Sequence, residues 1–329
     1  MIPRILSGCL FLLAVYVSSP LAAAQEAKKL KKIRVAVPSR SFGFLPLSVA
    51  EKKGFFAQEG LALEMVLMRP TISTQALVAG EIDFDTVSTR DIAAALNGLP
   101  VRIVMALDVG PTQTLIVKPG IRTMKDLKGK TLGVGGPKTL TDVLIRKALQ
   151  KFGFVPDVDV KLVPLGGGGS EVRLAALLAG KVDGTMLSPP HSTIVLTRHG
   201  FVGLLEAKDV SGVLSANLAT TTTAMKNSPA AIIGAIKATL RGARFFRENK
   251  GEFIHLLAQE TGIKETDMAE RIYKEFLALA SPTGIASDAA MRESLLFVQE
   301  SLGIAKEASV SDIADWSFAQ RALEELKTR

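Results

Sequence analysis

Six short segments of the chain concentrate hydroxyls, glycine amides and cations: Ser39-Arg40-Ser41-Phe42, Thr71-Ile72-Ser73-Thr74, Ser88-Thr89-Arg90, Gly135-Gly136-Pro137-Lys138-Thr139, Gly166 to Ser170, and Ser188-Pro189-Pro190-His191. They carry cations and almost no acid. The chemistry they offer is therefore hydrogen-bond donation to an oxyanion, not proton exchange between paired carboxylates. The candidate ligand contacts are Ser39, Arg40, Ser41, Phe42, Ser73, Thr74, Ser88, Thr89, Gly136, Lys138, Thr139, Gly169, Ser170, Ser188 and His191. Arg40 faces either a cleft or solvent, and Phe42 or Phe44 could stack on a ring. His191 is either a ligand contact or an ordinary loop histidine.

Plainer explanations stand beside these. Thr139 with Asp142 three residues on fits a variant of the capping box, and Ser170 is a good helix cap. Gly166 to Gly169 is a flexible turn or, as adjacent N–H groups before a helix, an anion nest. The phosphate-loop pattern is absent, and Gly133-Val134-Gly135-Gly136 lacks the third glycine of a dinucleotide fingerprint. His191, His199 and His255 show neither HxxxH nor HExxH spacing, so no metal site and no cofactor are expected. Gly-x-Ser-x-Gly is missing as well, which argues against a serine hydrolase.

These segments are placed by alternating strands and helices. Short β-rich runs at 33–37, 61–68, 84–87 and 101–107 are separated by helical patterns at about 45–56, 71–79 and 91–96. That alternation predicts βαβ units and a mainly parallel sheet. In such sheets ligands bind beyond the carboxyl ends of strands, beside helix N-termini, where the six segments fall.

The plan then repeats. Ala76-Leu77-Val78-Ala79-Gly80-Glu81-Ile82-Asp83 returns 100 positions later as Ala176-Leu177-Leu178-Ala179-Gly180-Lys181-Val182-Asp183, and Ser88 returns as Ser188. The period is too long for a solenoid and predicts two α/β lobes. Asp83 and Asp183, at helix-to-strand junctions, read as fold residues. Extended segments at 112–117 and 211–225 would cross between the lobes, making the first lobe discontinuous. Helical runs follow at 230–248, 266–279, 288–302 and 310–326, the first opened by Asn227-Ser228-Pro229.

Residues 1–24 have the make-up of a secretory signal peptide: Arg4, an apolar run from Ile5 to Val17, and Ala22-Ala23-Ala24 before Gln25. The run is shorter than the roughly 20 residues of a membrane helix, although a retained anchor is the alternative. Leu6-Ser7-Gly8-Cys9 looks like a lipoprotein box but stands at the start of the apolar run. Cys9 is the chain's single cysteine, so the mature chain is expected to have no disulfide, thiol nucleophile or cysteine metal site. The mature chain is expected to be soluble in the periplasm, its basic lead-in, Lys28 to Arg34, a solvated arm. Of 329 residues 40 are Lys or Arg and 32 Asp or Glu, a net charge of +8, yet only 5% are aromatic. A nucleic-acid reader would interleave basic and stacking residues, so no nucleic acid is expected; the charge leans towards anionic ligands.

Several ordered motifs resemble a known family. They are Val35-Ala36-Val37-Pro38-Ser39, Ala50-Glu51-Lys52-Lys53-Gly54-Phe55-Phe56 leading to Glu59-Gly60-Leu61, the paired Ala-Gly-x-x-Asp motifs, Met124 to Lys130, Phe245 to Asn249, and Asp315-Trp316-Ser317-Phe318. Together the chain resembles the sulfonate, nitrate, taurine and thiamine-precursor binding family of periplasmic solute-binding proteins of ABC importers. The resemblance implies a two-lobed type II periplasmic-binding fold, each lobe a mainly parallel sheet flanked by helices, with two hinge crossings. Lobe 1 would comprise 25–112 and 216–329, and lobe 2 113–215. It also implies a monomer that captures a small polar, anionic organic solute and delivers it to an inner-membrane ABC permease with its ATPase subunit. The alternative is an enzyme on the same fold acting on a small pyrimidine or carboxylate. Thiamine-pyrimidine synthases of that kind carry a cysteine-rich motif that this chain lacks, and menaquinone-pathway enzymes act in the cytosol, against the leader. A sensor domain would need a membrane span or an output domain.

Overall fold

The structure, a computed structural model, describes residues 30–39, 42–166, 169–261 and 263–328. The expected signal peptide at 1–24 lies outside them. The chain runs through β1 (Lys31–Val37), α1 (Leu45–Lys52), α2 (Phe55–Gln58), β2 (Leu61–Leu67), α3 (Pro70–Val78), β3 (Asp85–Val87), α4 (Ser88–Leu96) and β4 (Val101–Ala106). It continues through β5 (Thr114–Val117), β6 (Thr131–Val134), α5 (Leu140–Lys151), β7 (Lys161–Pro164), α6 (Ser170–Leu178), β8 (Gly184–Leu187), α7 (His191–Arg198) and β9 (Val202–Glu206). After β10 (Ala216–Thr221) come α8 (Thr222–Asn227), α9 (Pro229–Glu248), α10 (Lys250–Thr261), α11 (Thr266–Leu279), α12 (Asp288–Leu302) and α13 (Ser317–Lys327).

Strand pairing carries the internal repeat into three dimensions. β1 pairs in parallel with β2, and a parallel bridge between Val35 and Phe84 joins that pair to the β3-β10-β4 sheet. The spatial order is then β2-β1-β3-β10-β4, matched by β7-β6-β8-β5-β9 in the second sheet. In each sheet the fourth strand follows a crossing of the chain and runs antiparallel to both neighbours, while the strands of the βαβ units are parallel. A right-handed crossover returns a strand parallel, whereas the crossing strands enter without such a helix. The repeated aspartates act alike: Asp83 accepts the Arg34 N–H within β1 at 2.8 Å and Asp183 the Thr131 N–H at the start of β6 at 2.9 Å.

Burial follows the same elements. Ile33, Val35, Leu61, Leu63, Ile232 and Ile236 share one core between β1, β2 and α9, and Leu132, Val134, Leu144 and Leu149 lie in another between β6 and α5. At Gly242 of α9 an added Cβ would lie 2.1 Å from the Pro46 carbonyl oxygen, so only glycine lets α9 pack this closely on α1. Phe246, Phe253 and Phe276 form an aromatic cluster with ring centroids 5.0–5.5 Å apart, tying α9, α10 and α11 together.

Several boundaries differ from the sequence expectation. The helix expected over 45–56 breaks at Gly54, whose φ of 72° suits glycine. The extended segment expected over 211–225 stops at Thr221, whose hydroxyl accepts the Ala224 N–H and starts α8. The run at 310–326 divides into a single 3-10 turn and α13, and a separate helix, α10, stands between the runs expected at 230–248 and 266–279. The basic lead-in is not an arm from Lys31 on: Lys31, Lys32 and Arg34 are the exposed positions of β1, and Lys32 and Arg34 pair with Glu64 of β2 at 2.6 and 3.3 Å.

Candidate functional site

The carboxyl ends of both sheets converge on one cavity, with about 130 Å³ open to the centres of water-sized molecules. Its wall draws Pro38 and Ser39 from the end of β1, Thr86 and Val87 from β3, and Thr89 and Arg90 from the first turn of α4. The other sheet supplies Gly135, Thr139, Leu140 and Thr141 before and within α5, Gly169, Ser170 and Arg173 at α6, and Ser188 after β8. Asp108, Thr112, Gln113 and Ser215, from the two crossing segments, close the wall with Gly43, Phe44, Pro70 and Ala216.

Ser39, Thr89, Thr139, Gly169, Ser170 and Ser188 thus meet on the cavity. Ser73 and Thr74 stand behind it: their hydroxyls donate to Asp85 Oδ2 at 2.8 and 3.0 Å. Ser88 is buried with no partner for its hydroxyl among the described residues, and Gly136 is buried off the wall. Lys138 is exposed, with φ of 59°, and its N–H donates to Asp142. Thr139 therefore makes no capping box; its hydroxyl donates to the Gly136 carbonyl. Ser170 is the first residue of α6 rather than its cap, and its hydroxyl accepts the Ser188 N–H at 3.1 Å and Arg173 Nη2 at 3.2 Å. His191 lies off the wall with Nε2 3.9 Å from Glu171; burial lowers its pKa, so it is neutral at pH 7. Arg40 and Ser41, like Gly167 and Gly168, lie outside the described residues.

Two arginines give the cavity its charge. Arg173 is buried, donates from Nε to the Met186 carbonyl at 2.9 Å, and keeps its proton at neutral pH although burial pulls its pKa down to about 10. Arg90 has a buried Nε without a partner among the described residues. An anion would give the Arg90 Nε a partner and meet the Arg173 charge. A buried carboxylate, Asp108, shares the space; burial raises its pKa to about 7 against the hydrogen bonds it accepts from Ser215. Arg173, Asp108, Gln113, Thr141 and Ser215 were missed by reading loops alone. Arg173 and Thr141 sit within helices, where a look one turn past each helix start would find them. Asp108 and Ser215 become neighbours only through the crossings.

Residues 41–252 match the NMT1/THI5-like family model. The chain belongs to the NMT1/THI5-like family. A 135-residue stretch is 33% identical to a Brucella abortus protein provisionally named a binding protein, over 40% of this chain and 41% of that one. The match thus spans about two fifths of the length of such curated relatives. Two solved structures are similar to this family member throughout. The alkanesulfonate-binding protein SsuA of Xanthomonas axonopodis pv. citri, bound to MOPS, aligns with a TM-score of 0.70 at 18% identity, over 88% of this chain and 99% of that one. The periplasmic nitrate-binding protein NrtA of Synechocystis aligns with a TM-score of 0.68 at 14% identity, over 92% and 90%. At these identities the likeness establishes the fold, that of periplasmic binding proteins. The NMT1/THI5-like chain shares that fold with proteins named for binding. Among its described residues no group of three or more His, Cys, Asp or Glu is placed to hold a metal ion, and no helix is long and apolar enough to cross a membrane.

Proposed function

We propose that this protein is the extracytoplasmic solute-binding component of an ABC importer, taking a small anionic organic solute into the cavity between two lobes. Lobe 1 is 25–112 with 216–329, and lobe 2 is 113–215, the crossings before β5 and β10 serving as hinge. The observation that carries this reading is that Arg90 and Arg173, one from each half of the repeat, line the same hydroxyl-rich cavity. A carboxylate or sulfonate between them is held from both sides, so binding favours closure. Ser39, Thr89, Thr139, Ser170 and Ser188 supply further donors or acceptors. Residues 1–24 direct export to the periplasm, where the protein works as a monomer and presents its closed form to a permease. The family match, and names such as alkanesulfonate-binding and nitrate-binding among structures of the same fold, support this reading.

Thermal unfolding of ligand-stripped protein with a panel of small sulfonates, carboxylates, nitrate and pyrimidines tests it. A binder at about 100 times its Kd adds roughly 2.7 kcal/mol, a clear rise in Tm. No shift from any anion would reject the reading.

A further inference from the structure

We propose that the cavity takes up its anion together with a proton, held on Asp108. This rests on the reading of the cavity as an anion site, and concerns how that site is regulated.

Asp108 follows β4 directly, is 2% exposed and lines the cavity that Arg90 and Arg173 also line. Among the described residues no cation lies within ion-pair distance of it, and the groups that favour its ionised form are hydrogen-bond donors. Ser215, from the second crossing, donates to Oδ1 from its N–H at 3.1 Å and to Oδ2 from its hydroxyl, and the Gly110 and Ala216 amides also favour the ionised form. Other charged groups surround this arrangement: Arg90 on α4, Arg173 on α6, Glu275 on α11 across an adjoining space that Asp108 also borders, Arg247 bonded to the Ala280 carbonyl, and the pair of Asp85 on β3 with Asp91 on α4.

An entering anion changes this balance in one direction. It offsets the positive charge that Arg90 and Arg173 bring to the cavity and adds a negative charge to the space that Asp108 lines. Both effects raise the proton affinity of Asp108, which in the empty cavity already titrates near neutrality, at about 7. By linkage, affinity for a fixed-charge anion is highest below that point and falls as pH rises through it. Neutral Asp108 still accepts from Ser215, so the crossings stay joined while the repulsion disappears. No covalent step is involved; the proton comes from solvent.

The probe is ethanesulfonate, which stays ionised from pH 5 to 9, titrated calorimetrically into the full mature chain in buffers of differing ionisation enthalpy. The expected result at pH 8 is net proton uptake, with affinity falling about tenfold per pH unit above the break. D108N should bind without uptake and without the pH dependence. S215A, which removes a donor to the ionised form, should move the break upward, and serves should D108N fail to fold. Binding with no proton uptake between pH 6 and 9, uptake undiminished in D108N, or an unmoved break in S215A overturns the proposal and leaves the anion site standing. Failure of ethanesulfonate and every other panel anion to bind overturns the anion site itself, and the proton coupling with it.

Discussion

Gly169 meets Ser39 across the cavity mouth: a Cβ added at Gly169 would lie 2.5 Å from the Ser39 Cβ and 3.1 Å from the Pro38 carbonyl oxygen. The φ of Gly169 is −66°, open to any residue, so glycine stands here for closeness and not for backbone freedom. Gly169→Val should therefore hold the two sides apart while leaving each sheet intact. Affinity is expected to fall about 10- to 100-fold, as for loss of ~1.4–2.7 kcal/mol of closure contacts. Calorimetry with the best panel anion, beside small-angle scattering for a persistently larger radius of gyration, checks it.

In the proposed function Arg90 and Arg173 hold the anion by charge-assisted hydrogen bonds, each worth about 1.5–3 kcal/mol. Arg90→Met is expected to weaken anion binding by roughly 10- to 100-fold at an unchanged Tm of the empty protein. Arg173→Lys keeps the charge but loses the fork that spans the Met186 carbonyl and Ser170, and should weaken binding and lower Tm together. Equal affinity in both variants and the wild type would place the anion elsewhere.

Asp85 and Asp91 share a hydrogen bond behind the cavity, and burial raises the pKa of both, that of Asp91 well above the usual range with the Asp85 charge adding to the effect. The folded state thus holds a proton that the unfolded chain releases above about pH 4. Stability supplied by this pair is complete below that point and declines as pH rises through the folded pKa. Asp91→Asn copies the protonated acid, accepting from Asn217 Nδ2 as Asp91 does at 2.9 Å and donating to Asp85. Its Tm is expected to exceed that of the wild type at pH 8 by about 3 °C, the effect of ~1 kcal/mol at this size, and to match it at pH 5. Thermal scans at the two pH values decide.

Lys237 of α9 is buried to 3% exposure, with Nζ 2.6 Å from Glu59 and 3.1 Å from Glu325; the Glu59 side chain is 7% exposed and that of Glu325 39%. Removing the cation takes the counter-charge from a buried carboxylate. Lys237→Met should cost about 3–5 kcal/mol, whereas Glu325→Gln, at the exposed end, should cost less than about 1 kcal/mol. Urea unfolding of the two variants and of Lys237→Met with Glu59→Leu, expected to recover most of the loss, measures it.

How much was legible varied with the range of the interaction. Asp83 and Asp183 were readable as structural because a repeated residue at a helix-to-strand junction marks a repeated local task, and each bonds the backbone of the second strand in its sheet's spatial order. Helices 266–279 and 288–302 were readable from their apolar period. The bounds of α10 were not, because Gly251 lies in its first turn and its packing on Phe246 helps to hold it. Ser73 and Thr74 have the composition of ligand contacts, yet their hydroxyls serve Asp85. Only the packing of α3 on β3 decides which way they point.

By itself the sequence determined the alternation of strand and helix, the doubled plan and the loops that gather at the sheet ends, because period, capping and turn chemistry act over a few residues. Tertiary structure decided which side chains form the cavity. It set Arg90 and Arg173 on one cavity, and brought Ser215 onto Asp108 across 107 positions of chain. Such partners meet through strand order and crossings, whose energies come from packing whole sheets and leave no mark in any short stretch of residues.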